Sequence, residues 1–129
     1  MDGQHSLRVL VVEDNAELRA VLGELLARHG FEADLAANGV EAMVALTSPD
    51  APLPDVVILD VTMPLENGVH VLRFIRNGLR RFLPVIVLTA SATSEQEEEI
   101  RGLGVEAYLR KPASADALLG AVRRVLRRA

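Results

Sequence analysis

Asp55-Val-Val-Ile-Leu-Asp60 is a run of apolar, mostly β-branched residues closed directly by a carboxylate. Such a run is strand-length, and apolar character on both side-chain faces is the pattern of a parallel strand buried above and below. Asp60 must therefore emerge from buried backbone at a sheet edge. Working outward, similar runs occur at Leu7 to Val12 and Pro84 to Leu88. Two weaker ones are Phe31 to Ala36, read with Phe31, Ala33 and Leu35 inward, and Ala107 to Leu109.

Helical patterns separate these strands. Leu18, Val21, Leu22, Leu25 and Leu26 recur at i, i+3, i+4, i+7 and i+8, and further helices are expected over Gly39 to Thr47, Asn67 to Leu79, Ser94 to Gly102 and Ser114 to Arg128. Gly30 and Gly102 or Gly104 stand where helices should stop, and Asn15 and Ser94 where they should start, Ser94 and Glu97 having capping-box spacing. The sum is an α/β fold of five βα units, a doubly wound five-stranded parallel sheet with helices on both faces.

At 129 residues the chain is the size of one domain, read as a short tail at 1–6 and a single unit at 7–129. Hydrophobic residues make up 50% and charged residues 25%, a globular balance. A net charge of −4 gives no general attraction to nucleic acid or to an anionic membrane, and the absence of cysteine removes disulfides and thiolate chemistry. The polar start has no signal-peptide pattern and no run reaches membrane-spanning length, so a cytoplasmic protein is expected. His5, His29 and His70 are scattered without metal-ligand spacing.

In such a sheet ligands bind beyond the carboxyl ends of the strands. Glu13 and Asp14 follow the first strand, Asp60 ends the third, Thr89 the fourth, and Lys111 follows the fifth. An acidic pair after a strand is most simply a complement to the next helix's dipole, and a strand threonine is commonplace. Their joint arrangement points further, because three carboxylates brought together repel unless a cation joins them, and Mg2+ suits a few carboxylates plus phosphate oxygen. Lys111 is the sole lysine among fourteen basic residues, a compact point charge where arginine is otherwise used throughout.

Four segments, in order, carry a resemblance: Val11-Val-Glu-Asp-Asn15, Ile58-Leu-Asp-Val-Thr-Met-Pro64 with Gly68, Val87-Leu-Thr-Ala90, and Ala107-Tyr-Leu-Arg-Lys-Pro112. Over essentially its whole length the chain resembles the CheY-like receiver domain of bacterial two-component response regulators. The resemblance implies a flavodoxin-like strand order 2-1-3-4-5 and a signalling phosphoacceptor rather than a turnover enzyme. Asp60 would accept a phosphoryl group from a sensor histidine kinase, a phosphotransfer protein or a small phosphodonor. Asp14 and Asp60 would bind Mg2+ directly, Glu13 through water, and the Thr62 backbone carbonyl would complete the set. Thr89 and Lys111 would contact phosphoryl oxygens, Tyr108 would be the aromatic switch with room left by Ala90, and Lys111-Pro112 would be cis.

Output would pass through the fourth helix, fifth strand and fifth helix to a downstream protein, an output domain or a second copy. The fourth helix is rich in glutamate, with Ile100 and Leu103 as its apolar anchors, and is expected to be loosely held; the fifth carries Arg123, Arg124, Arg127 and Arg128. Ala113 after Pro112, and Glu106-Ala107 before the aromatic, depart from the DNA-binding subfamily's pattern. Two other readings use the same residues: a Mg-dependent aspartyl-phosphate hydrolase, against which Thr62 stands where a second acid is usual, and a degenerate receiver acting as a constitutive binding module, against which the acid set is intact. A stand-alone receiver and a piece of a longer regulator fit the sequence equally.

Overall fold

The structure is a computed structural model and describes residues 6–64, 67–79 and 82–127. The elements are β1 (Arg8–Val12), α1 (Ala16–Arg28), β2 (Glu32–Ala36), α2 (Gly39–Thr47), β3 (Val56–Asp60), α3 (Asn67–Phe74, continued by a π turn at Ile75–Leu79), β4 (Val85–Thr89), α4 (Ser94–Leu103), β5 (Ala107–Arg110) and α5 (Ala115–Arg127). All strand pairs are parallel, in the order β2-β1-β3-β4-β5. The expected fold is thus the one observed. Residues 1–5 of the tail and Arg128 lie outside the described residues.

Strand alternation sorts the core into two layers. Val9, Val11, Ile58, Ile86 and Leu88 face α1 and α5, meeting Leu22, Leu26, Leu118 and Val122. Leu10, Val12, Val57, Leu59, Val85 and Val87 face the opposite side, meeting Ala42 and Leu46 of α2, Val69 and Leu72 of α3, and Ile100 of α4. Every residue of β3 and β4 is buried, so these strands read as continuous apolar runs. Each fully buried aliphatic side chain contributes about 1.5–3 kcal/mol relative to exposure.

The edge strand departs from its reading. Leu35 is 47% exposed although Ala33 packs on the core, because β2 has a neighbour on one side only and Leu35 merely overlies Gly23 of α1. Val21 is likewise exposed, leaving Leu22 and Leu26 as the fully buried stripe of α1.

Caps locate the helices. Asn15 accepts from the Leu18 amide, as expected, and Asn38 from that of Glu41. For α4 the cap is Thr93 rather than Ser94: the Thr93 side chain and Gln96 form a reciprocal capping box one residue earlier than the Ser94–Glu97 spacing. Gly104 ends α4 with φ of 90°, backbone that glycine tolerates.

Two arginines hold α4 where its apolar contacts are few. Arg73 of α3 grips Glu99 through Nε and Nη2. Arg76 in the π turn donates to the carbonyls of Leu83 (2.6 Å) and Gly104 (2.9 Å) and to Glu106. The apolar anchors are those expected, Ile100 and Leu103, but these polar ties are invisible to a hydrophobic pattern.

Candidate functional site

The site lies at the carboxyl ends of β1, β3, β4 and β5. Buried strand backbone delivers Asp60 and Thr89 as the last residues of their strands, and both side chains are nearly solvent-free. The turn after β1 delivers Glu13, 1% exposed, and Asp14, which is exposed. One backbone and two side-chain hydrogen bonds hold that turn: the Glu13 amide donates to the Ala36 carbonyl, the Asn15 amide to Glu13 Oε2, and Arg19 Nη1 to the Glu13 carbonyl at 2.9 Å. Beyond β5, the Lys111 amide donates to the Thr89 carbonyl at 2.8 Å, which brings its side chain over the same cleft, and Lys111-Pro112 is cis as expected.

One oxygen from each of Glu13, Asp14 and Asp60 lies within 4.8 Å of the others, a grouping able to hold a metal ion. Lys111 Nζ sits 2.8 Å from Glu13 Oε1 and 3.3 Å from Asp60 Oδ2. The contact with Glu13 is an ion pair without hydrogen-bond alignment. A single ammonium facing three carboxylates leaves excess negative charge. Burial raises the Glu13 pKa, and the Asp60 charge adds to this, against Lys111 and the Asn15 amide. Burial alone would depress Lys111, yet Glu13 and Asp60 outweigh it and hold the ammonium above its ordinary value.

Thr62 contributes more than its backbone. Its amide and hydroxyl both donate to Asp60 Oδ1, at 2.8 and 2.7 Å, while its Oγ1 accepts from the Ala90 amide at 3.4 Å. The resemblance implies a metal-binding carbonyl at Thr62 and a position two residues beyond the acid that tunes hydrolysis; the bonds from its amide and hydroxyl to Asp60 are additional to both. Thr89 Oγ1 is buried and has no hydrogen-bond partner among the described residues. A hydroxyl so placed costs about 1–3 kcal/mol, which is tolerable where a ligand supplies the missing acceptor.

Tyr108 flanks this cluster, its side chain near that of Thr89 without a fully formed hydrogen bond to it. It is half-buried beside α4, its hydroxyl donating to Glu97 Oε2 at 3.1 Å, and its ring is flanked by Arg101 and Arg110. Burial raises the phenol's pKa, and the bond to Glu97 raises it further.

Gly68 sets how closely α3 approaches the site. A Cβ there would lie 2.1 Å from the Asp60 carbonyl oxygen and 2.5 Å from Val61 Cα. Only a residue without one lets the first turn of α3 rest on the backbone that carries Asp60.

A parallel βα sheet in the order 2-1-3-4-5, with acids, a hydroxyl and an ammonium gathered at its strand ends, defines a CheY-like α/β signalling module. Comparison with known proteins agrees: the chain belongs to the response regulator receiver domain family, whose model matches residues 9–123. It is 39% identical over 125 residues to response regulator MprA of Mycobacterium tuberculosis, covering 95% of this chain and 52% of that protein. The chain thus spans about half the length of the curated relatives it matches. Chemotaxis protein CheY4 of Vibrio cholerae superposes with a TM-score of 0.81 at 30% identity, covering 94% of this chain and 99% of that one. A CheY-like receiver domain protein from Methanospirillum hungatei shares the fold, with a TM-score of 0.87 at 22% identity, over 96% of each chain. Among the described residues, no helix is long and apolar enough to cross a membrane.

Proposed function

We propose that this receiver domain is a phosphorylation-operated switch in which Asp60 accepts a phosphoryl group from a phosphohistidine on a sensor histidine kinase or phosphotransfer protein. The supporting observation is the convergence on Asp60: Lys111 on one carboxylate oxygen, Thr62 on the other, and the unpartnered Thr89 hydroxyl at the end of the adjacent strand. An Asp60 oxygen forms the new bond to phosphorus while the bond to the donor nitrogen breaks and its electron pair leaves with the imidazole. Lys111 and Thr89 meet charge on the equatorial oxygens, so catalysis is mostly positioning and neutralisation.

Glu13, Asp14 and Asp60, with the Thr62 carbonyl, fit Mg2+, since all are oxygen donors and their excess charge demands a hard cation. Bound there, Mg2+ neutralises charge on the transferring group. The chain turns over nothing but its own acyl phosphate.

The added charge draws Thr89 toward the phosphoryl group, and Tyr108 moves into the space beside Ala90. The surface formed by α4, β5 and α5 changes, and a downstream protein, an output domain or a second copy of this chain in the cytoplasm reads it. The test is intact mass after Mg2+ and acetyl phosphate, with beryllofluoride binding followed by NMR. One phosphoryl adduct on the wild type, absent in Asp60→Asn, is expected; identical behaviour of the two overturns the assignment.

A further inference from the structure

Tyr108 is restrained by a carboxylate that the phosphoryl chemistry does not use. Glu97 Oε2 accepts from the Tyr108 hydroxyl at 3.1 Å and from Arg110 Nη2 at 3.2 Å. The Arg110 and Arg101 guanidinium carbons lie 5.9 and 6.0 Å from the tyrosine ring centroid, at the outer reach of a cation–π contact. Tyr108 is thus held at its tip by α4 and flanked by a cation from α4 and one from β5. Meanwhile Thr89 Oγ1, at the end of the adjacent β4, is buried without a partner among the described residues.

We propose that Glu97 is a latch that holds the Tyr108 hydroxyl against α4 in the resting state, a positioning residue that sets how readily Asp60 is activated. This rests on the switch reading above. Glu97 is suited to the task because it lies at the start of α4, where its amide already bonds to Thr93 and the capping box is supplied by Thr93 and Gln96. Its side chain is therefore not needed to begin the helix. A contact made only in the resting state must be broken by activation, so it lowers apparent affinity for any ligand that selects the active state.

Removing the latch shifts the balance without touching Asp60, Lys111 or the acids. Glu97→Ala is expected to bind Mg2+-beryllofluoride about fivefold or more tightly than the wild type, the lower end of ordinary coupling between sites. Glu98→Ala, at the exposed neighbouring position, controls for the loss of one negative charge from α4. In a Tyr108→Phe background, which has no hydroxyl to hold, the Glu97→Ala effect should largely vanish, as a double-mutant cycle requires of a pairwise coupling.

The measurement is a beryllofluoride titration at saturating Mg2+ followed by NMR, with thermal unfolding showing that each variant is folded. Affinity unchanged in Glu97→Ala, or raised equally in Glu98→Ala or in the Tyr108→Phe background, overturns the latch. Failure of the wild type to bind beryllofluoride overturns the switch reading instead, so the two outcomes are distinct.

Discussion

Lys111 and Tyr108 are the residues whose environments make the sharpest predictions. Lys111 touches two carboxylates with one atom, one in the turn after β1 and one at the end of β3. Arginine carries the same charge on a wide planar fork and cannot place a point charge between them. Lys111→Arg should therefore remain folded and still gain the phosphoryl adduct, but lose phosphorylation-dependent change at α4, β5 and α5; amide shifts equal to wild type on beryllofluoride addition would contradict this. Tyr108 is the only tyrosine in a chain without tryptophan, so tyrosinate absorbance reports it alone. Its pKa should lie above the ordinary 10.0, and Glu97→Gln should bring it down by removing a negative charge and a strong acceptor. With the folded value raised, this contribution to stability is intact below pH 10.0 and is lost as pH climbs through the folded pKa.

Among the elements, α3 links the site to α4. At its first turn Gly68 rests on the Asp60 carbonyl, and further along Arg73 and Arg76 grip α4 and the strand starts. Gly68→Ala should cost about 1–3 kcal/mol or more, the scale of overpacking, since the opposing atoms are backbone and cannot swing away. Denaturant unfolding would measure it. The hydrogen bond from Arg73 lowers the Glu99 pKa below 4.5, so this clamp's contribution is complete above pH 4.5 and fades as pH falls through the folded value. Glu99→Gln should flatten the acid limb of a thermal stability profile; an unaltered limb would show that the clamp is idle. The helices themselves were legible from apolar spacing and from Asn15, but Arg73 and Arg76 were not. Their partners in and just after α4, Glu99 and Gly104, lie 26 and 28 residues away, a distance at which periodicity carries no information.

For the whole molecule, five strands, their parallel pairing and the placement of Glu13, Asp14, Asp60, Thr89 and Lys111 could be read from the chain because each buried strand is an apolar run ended by a polar group. Leu35 could not, since edge exposure depends on tertiary contacts, and at α4 two overlapping capping-box spacings, Thr93–Gln96 and Ser94–Glu97, leave a one-residue choice that spacing alone does not decide. Ile58→Ala, in the middle of the central strand, should cost about 2–5 kcal/mol by opening a cavity between β3 and the α1–α5 layer. Mg2+ binding to the folded acids should raise the melting temperature by mass action, worth about 2.7 kcal/mol at one hundred times the dissociation constant. Chelation should reverse it, and Asp60→Asn should blunt it.

The pairing of Asp60 with Lys111 spans 51 residues, and it fixes an order of events during biosynthesis. A growing chain acquires Glu13, Asp14 and Asp60 well before the ribosome reaches the lysine. Until β5 docks against β4, the acids stand without their resident ammonium and Thr89 without the amide that caps its carbonyl. A nascent fragment therefore carries all three acids before the lysine that faces two of them exists.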